Sequence, residues 1–454
     1  MKAKAVAKLI RQQDIRIIDI FKDHWDRFLI EKGDKIPEEM KASVCEAVEK
    51  AIKCGDPRYG YAEYICIHCN GKEKKKIAFT CKSRFCNRCG KVYIDQWVEK
   101  QAERIIEAGH RHVIFSIPEE LRIIFYHNRG WLKDLSDNAA SVIQYWYHEK
   151  AKKRGYQVGI IAVVHTFGRD LKFNPHIHAL ITEGAIDKDK QWKEAGYIPY
   201  EYLRKAWQKV LMDWLKEKYP NNFKIKRLIN DLYKRYKQGF YVHAERRMKD
   251  ARGAARYIGR YLARPALAEY RILNYDGEKV HFWYEDHQTG KPVEVQLDVI
   301  DFIGRLTYHI PKKHFKMVRR YGLYRRDLNK LAQKIVQLWN WINKKTQQIK
   351  TPFSPRKKSW KERIQEAFGS NPLKCPRCGR EMELWTIWHP KYGVIWDFLK
   401  DGVITIEKKE ETNQEDQAQK GRGRFDTIGN AGMGFSDRRT GRRPVQLSLP
   451  GVQL

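Results

Sequence analysis

The sequence predicts an α+β chain: a central antiparallel sheet, flanking helices, and a small cysteine-rich segment ahead of them. Three observations lead there. Two β-branched, apolar runs, "VGIIAVVHTFG" and "HIHALITEGAI", stand close enough to pair as a hairpin. Stretches with apolar residues at helical spacing lie on both sides, over 131–155 and 199–219. Six of the nine cysteines fall between Cys54 and Cys89.

The elements follow in order. Residues 1–53 read as helices, because "DIRIIDIFKDHWDRFLIEK" and "PEEMKASVCEAVEKAIKC" place apolar residues at helical spacing. The cysteine segment runs over 54–92, and a basic helix, "YIDQWVEKQAERIIEAG", leads out of it. "HVIFSIPEEL" reads as a strand ended by proline, and "GFYVHAE" as another strand. "MKDARGAARYIGRYLARPA" reads as a helix closed by Pro265. "KVHFWYEDHQTGKPVEVQLDVIDFIGRL" holds a hairpin around a Thr289-Gly290 turn. Basic helices are expected to fill 311–349. The main domain thus spans 93–325, followed by a basic helical linker over 326–370 and a small element over 371–407 around "CPRCGREMEL". From 408 to 454 the chain is polar, Gly-rich and almost free of aromatics, the composition of a mostly disordered tail.

Formal net charge is +34 and the isoelectric point about 9.7. Charge of this size speaks about partners rather than fold. With 12% aromatic residues supplying stacking surfaces, nucleic acid is the expected partner; a merely basic soluble protein is the bland alternative. No run of 18 apolar residues exists to span a bilayer, and no amphipathic Lys/Trp helix stands out as a membrane anchor. The basic N-terminus lacks the apolar block and cleavage site of a signal peptide, so a cytoplasmic location is expected.

In such a protein, clustered cysteines point to metal rather than disulfides. Cys66-Ile-His-Cys69 and Cys86-Asn-Arg-Cys89 are two CxxC pairs. Each fits a tight turn presenting two thiolates, and the four together close one tetrahedral structural zinc site. Cys54 and Cys81 can hold a second metal or replace one of the four, and His68 can contribute. Cys375 and Cys378 form a third pair without an obvious second half. His389 is a candidate third ligand there, and a loose knuckle without metal fits equally. The lysines and arginines of "GKEKKK" and "CKSRFCNRCGK" fit phosphate contacts or a solvated face.

His176 and His178 bracket Ile177 in "NPHIHALITEG". On a strand, residues i and i+2 face the same way, so the two imidazoles project together. If the two apolar runs pair, His165 lies on the neighbouring strand and supplies a third. Three neutral imidazoles leave a divalent ion with open positions, able to polarise a phosphate oxygen. Hydrogen-bonded core histidines are the competing reading, and spacing alone does not separate the two. Tyr257 and Tyr261 stand four apart on the helix before Pro265, hence on one face. Arg252, Arg256, Arg260 and Arg264 also recur every four residues and stripe the helix beside them. Arginines beside a phenol can bind a DNA backbone and ease formation of phenolate; two packed core tyrosines are the alternative.

Taken in order, "HVIFSIPEELR", "HTFGRDLKFNPHIHALITEGA", "YIGRYLARPALAEYRI" and "FIGRLTYHIPKKHFKMVRRYGLYRR" resemble the rolling-circle insertion-sequence transposases. These are two-tyrosine HUH (His-hydrophobe-His) enzymes with an N-terminal zinc-binding domain, which the cysteine segment resembles. The resemblance covers residues 40–325 and the "CPRCG" element. It implies an HUH nuclease fold, with metal ligands at His176 and His178 and nucleophiles at Tyr257 and Tyr261. By likeness to relaxases, another HUH group, His165 is the third ligand. The implied cofactors are structural zinc and a catalytic magnesium or manganese ion, although imidazoles also suit zinc or nickel. The implied partner is single-stranded DNA at transposon ends and target. One tyrosine attacks to give a 5′-phosphotyrosine and a free 3′-OH, and the second can cleave again. Strands are thereby cut and rejoined without ATP, in keeping with the lack of a G-x-x-x-x-G-K-[ST] loop. The chain departs from the family at Asn174-Pro175, where histidine-proline is frequent, and at Asn87, where the last cysteine pair usually has proline. Neither position is a proposed ligand. Two rivals predict other behaviour: a zinc-finger DNA-binding protein binds without cleaving, and a replication initiator or relaxase cuts an origin.

Overall fold

The computed structural model describes residues 15–151, 155–194, 198–244, 248, 253–254, 257, 259, 265–286, 289–343, 359–362, 365 and 371–401. Helix α1 (Ile17–Lys32) buries Ile17, Ile20, Phe21, Trp25 and Phe28; α2 (Glu38–Ile52) buries Met40, Val44, Val48 and Ala51. These spacings gather each set on one stripe. β1 (Tyr61–Ile65) and β2 (Lys74–Ala78) form an antiparallel ribbon, and α3 (Asn87–Ala102) starts inside the second CxxC pair with Cys86 at its N-cap.

β3 (His110–Ser116) stops just ahead of Pro118, which has no N–H for the ladder and instead sits before α4 (Glu119–His127). Then come α5 (Leu132–Ala151), β4 (Gln157–Phe167), β5 (Phe173–Ile186), β6 (Trp192–Glu194), α6 (Tyr200–Lys218), α7 (Phe223–Arg235) and β7 (Val242–Ala244). β8 (Ile272–Tyr275), β9 (Lys279–Glu285) and β10 (Pro292–Asp298) form a small antiparallel sheet that includes the expected hairpin. α8 (Val299–Thr307) begins where the Asp298 carboxylate accepts a bond from the Ile300 N–H. β11 (Val318–Gly322), α9 (Asn329–Ile342), β12 (Glu383–His389) and β13 (Gly393–Asp397) follow.

The central sheet runs β11-β4-β5-β3-β7, with β6 paired to the end of β5, and every pairing is antiparallel. On one face Phe115, Ile160, Ala162, Val164, Ile177, Ala179 and Ile181 pack under α4, α5 and α6, where Trp207 is fully buried. The other face carries Ile161, Val163 and Leu180, covered by Trp97 of α3 and by Ala332 and Val336 of α9. Burial on both faces explains why β4 and β5 read as almost unbroken apolar runs rather than alternating ones. Helices α1, α2 and α8 share a separate core with β8 and β9.

Two expectations change. Basic helices do not fill 311–349: Val318–Gly322 is an edge strand on β4, and α9 is the helix of that stretch among the described residues. The strand ends on Gly322 at φ +54°, where a Cβ would fall 1.8 Å from the Val158 carbonyl oxygen. Only glycine fits such a close approach, and tertiary pairing overrides the local pattern. The two small cysteine elements, expected to be separate, share one sheet of order β13-β12-β1-β2, because β12 pairs with β1. The expected tail over 408–454 lies outside the described residues. Among the described residues, no helix is long and apolar enough to cross a membrane.

Candidate metal centres and nuclease site

The structure does not bring Cys66, Cys69, Cys86 and Cys89 together. It forms two clusters instead: Cys54, Cys81, Cys86 and Cys89, and Cys66, Cys69, Cys375 and Cys378. The Cys66/Cys69 and Cys86/Cys89 pairs therefore belong to different sites. Cys54 and Cys81, expected to hold a second metal or to replace one of the four, instead stand together with Cys86 and Cys89, in the place of both Cys66 and Cys69. The half missing from Cys375 and Cys378 is Cys66 and Cys69, far upstream, brought over by the β1–β12 pairing. His389 and His68 are not in either cluster; their Nδ1 atoms bond the Lys391 N–H and the Arg380 guanidinium.

Local structure prepares both halves of the site formed by Cys66, Cys69, Cys375 and Cys378. After Cys66 the chain turns so that the Cys69 and Gly71 N–H groups bond the Cys66 carbonyl; in the same way the Gly379 N–H, at φ +72°, bonds the Cys375 carbonyl. Sulfur separations are 3.6 Å for Cys54–Cys89 and Cys81–Cys89, 3.8 Å for Cys54–Cys86, and 3.5 Å for Cys66–Cys378. Tetrahedral zinc with Zn–S near 2.3 Å places sulfurs about 3.8 Å apart, so both sets fit. Bonds from Cys81, Cys86 and Cys89 hold the Cys54 thiol far below its ordinary range, while the contact with Cys54 pushes Cys81 and Cys89 up. Four thiols this close cannot all ionise without a cation between them.

His165, His176 and His178 come together across β4 and β5. His165 on β4 stands directly opposite His176 on β5, and Val163 opposite His178. The donor nitrogens of His165, His176 and His178 all lie within 4.8 Å of one another. His176 Nδ1 bonds the Asn174 carbonyl at 2.7 Å, which turns its Nε2 inward to 3.0 Å from His178 Nε2. Two nitrogens at bond lengths of 2.0–2.1 Å and a right angle on one ion are about 3.0 Å apart. The three imidazoles thus suit a divalent ion with open positions. Beside His165 a cleft of about 90 Å³ is lined by Phe167, Arg84, Phe85, Asn87, Leu267 and His309.

One residue at the centre escaped sequence reasoning. His112, fully buried on β3, puts Nε2 2.9 Å from His178 Nδ1 and Nδ1 3.2 Å from the Tyr257 hydroxyl. Its ring lies parallel to that of His178, 2° apart in plane with centroids 5.0 Å apart, so the two meet edge to edge through that bond, and it meets Tyr257 at a steep angle. The signal was faint: "HRHVIF" carries histidines at 110 and 112, but nothing in it says that β3 lies beside β5. His110, two residues earlier, has the bland role. Its Nδ1 bonds the Ala108 carbonyl, its Nε2 bonds the Tyr324 hydroxyl, and burial pushes it down to about 4. Tyr257 is helical, as are Gly253, Ala254 and Gly259. A Cβ on Gly259 would meet Val98 of α3 at 2.2 Å, so the tyrosine segment is pressed against α3. Tyr261, Arg252, Arg256, Arg260 and Arg264 lie outside the described residues.

An antiparallel sheet presenting convergent imidazoles beside a tyrosine, joined to a thiol-rich zinc module, defines a DNA-processing protein of the transposase class. Residues 159–331 match the family profile described as "Putative transposase", and 20–117 the one described as "Transposase zinc-binding domain". The chain is 30% identical over 351 residues to the "Transposase for insertion sequence element IS801" of Pseudomonas savastanoi pv. phaseolicola, covering 74% of this chain and 82% of that protein. It is 25% identical over 327 residues to the "Putative transposase y4qJ" of Sinorhizobium fredii (strain NBRC 101917 / NGR234), covering 68% and 81%. No solved structure matches. The chain belongs to the insertion-sequence transposases of the rolling-circle IS91 type, enzymes that cut and transfer DNA strands at transposon ends and carry structural zinc.

Proposed function

We propose that this transposase nicks and rejoins single-stranded DNA at transposon ends by tyrosine transesterification. The observation that carries the reading is the convergence of His165, His176 and His178 within 4.8 Å, with Tyr257 linked to His178 through His112. The Tyr257 oxygen attacks the scissile phosphorus and the 3′-oxygen leaves with the bonding electrons. Bond energy is kept in the 5′-phosphotyrosine, and a 3′-OH attacking that link restores the phosphodiester. Tyr261, assigned from the family pattern, is the second nucleophile. His165, His176 and His178 would hold the catalytic divalent ion, magnesium or manganese; when bound it supplies Lewis-acid polarisation of the phosphate oxygens. Net charge of +34 favours the approach of a polyanion, and the arginines 252, 256, 260 and 264 are the proposed backbone contacts beside the tyrosines. Each thiol cluster holds one structural zinc, through Cys54, Cys81, Cys86 and Cys89 and through Cys66, Cys69, Cys375 and Cys378.

The test uses labelled single-stranded end DNA and the full chain. Tyr257→Phe with Tyr261→Phe should abolish the covalent protein–DNA adduct while binding persists. An adduct that survives in the double variant overturns the nucleophile assignment. Binding without any adduct in the unaltered protein favours a non-catalytic zinc-finger protein instead.

A further inference from the structure

We propose that His112 is a positioning residue that ties the imidazole centre to the nucleophile, acting as a hydrogen-bond donor to the Tyr257 oxygen and not as its base. The inference rests on reading His176 and His178 as metal ligands and Tyr257 as nucleophile.

Proton bookkeeping sets the direction of each bond. His178 Nε2 faces His176 Nε2 at 3.0 Å, so Nε2 is the metal-binding nitrogen. A neutral imidazole bound through Nε2 keeps its proton on Nδ1. That N–H points at His112 Nε2, 2.9 Å away, and His112 must accept it there. A neutral imidazole carries one N–H, so the proton of His112 is on Nδ1, aimed at the Tyr257 oxygen 3.2 Å away. With Nδ1 already protonated and Nε2 occupied, His112 has no site for the phenol proton. That proton leaves by another route, to solvent or to a group on the DNA.

A donor in this place favours phenolate over phenol, since a hydrogen bond to an ionised oxygen is the stronger one. The bond therefore tightens as the Tyr257 oxygen becomes the attacking nucleophile. It tightens again on rejoining, when the P–O(tyrosine) bond breaks and phenolate departs with the electron pair. One fixed N–H thus serves both directions of a reversible exchange. The in-plane bond to His178 has a second effect: it holds the ligand ring in the orientation and tautomer that present Nε2 to the ion. His112 is fully buried and β3 is clamped between β5 and β7, so the ring is held by the sheet rather than by a loop.

Two side chains separate these roles. His112→Gln places its amide near the Nε2 position, keeping a partner for His178 and losing the one for Tyr257. His112→Asn places its amide near the Nδ1 position and does the reverse. Manganese affinity is read by calorimetry on the full chain, and adduct formation by single turnover at saturating manganese on single-stranded end DNA. His112→Gln is expected to bind manganese as the unaltered protein does but to form adduct on the order of 10- to 100-fold more slowly. His112→Asn is expected to lose on the order of 10- to 100-fold in manganese affinity and, once saturated, to lose less adduct rate than His112→Gln does. Equal losses in both readouts for both variants, with unchanged melting temperatures, would mean a structural role and overturn the proposal; so would normal adduct formation by His112→Gln. Mapping the adduct of the unaltered protein by mass spectrometry separates a failure of the parent reading: an adduct on a residue other than Tyr257 removes the nucleophile assignment and this proposal with it.

Discussion

The thiol module and the imidazole sheet both gather metal-binding side chains, but they depend on metal in opposite ways. Around the thiols there is almost no core: one buried patch consists of Cys66, Cys375 and Met382, the other of Ala51, Cys86 and Cys89. The sheet that carries the imidazoles is backed by a large apolar cluster in which Phe115, Tyr147 and Trp207 are fully buried. Four ligands close a site and stabilise a fold, whereas three leave positions open for chemistry. In this chain the metal would hold the module, and the core holds the imidazoles.

The sharpest way to break that contrast is Cys375→Ser with Cys378→Ser. Bound zinc should fall from two to one per chain, and β12 and β13 should lose hydrogen-exchange protection while β3–β5 keep theirs. The free energy of structural zinc binding, on the order of 10 kcal/mol, is folding free energy in such modules, so this is the largest effect. Two zincs remaining in the variant would sink the split-site assignment. Next, Trp207→Ala should cost about 3–5 kcal/mol in denaturant melts, since Trp207 fills the core under the sheet and bonds the Ser116 carbonyl at 2.8 Å. Its zinc content should not change.

Acid comes third. Burial pushes His110 down from 6.5 to about 4, so the folded state keeps it neutral while the unfolded chain takes up a proton. The stability this contributes is present above about pH 6.5 and is lost as pH falls towards 4, by up to about 3 kcal/mol. Comparing the pH dependence of stability with that of His110→Asn isolates it; identical slopes would reject it. The smallest expected change in stability, about 1 kcal/mol, belongs to His176→Ala with His178→Ala, which should nonetheless eliminate metal-dependent cleavage. A melting-temperature loss as large as that of Trp207→Ala would make those histidines structural.

Much of this was legible before any coordinates. Apolar runs with β-branched residues located β3, β4 and β5, and helical spacing located α1, α2, α5 and α6. That His165 lies on the strand beside His176 and His178 followed from a short hairpin, while its register directly opposite His176, next to an irregularity between His165 and Phe167, did not. What was not legible depends on contacts distant in sequence. The pairing of Cys66 and Cys69 with Cys375 and Cys378 is set by β1 meeting β12, and no local spacing encodes which of three CxxC pairs share a site. Edge strand β11 has too little β-branched character to stand out, and exists because β4 offers it a free ladder.

The sequence alone therefore determined the residue types and their local geometry: which thiols come in pairs, which imidazoles share a strand face, which tyrosine sits on a helix. Those properties have periods of two to four residues, and any stretch of chain carries them. Only the tertiary structure decided the partners. Strand order put His112 between His178 and Tyr257, and a strand added from the far end of the chain completed a four-thiol site. Such choices belong to the packing of whole elements, because hydrogen-bonded ladders and buried apolar faces are satisfied only when the entire arrangement closes.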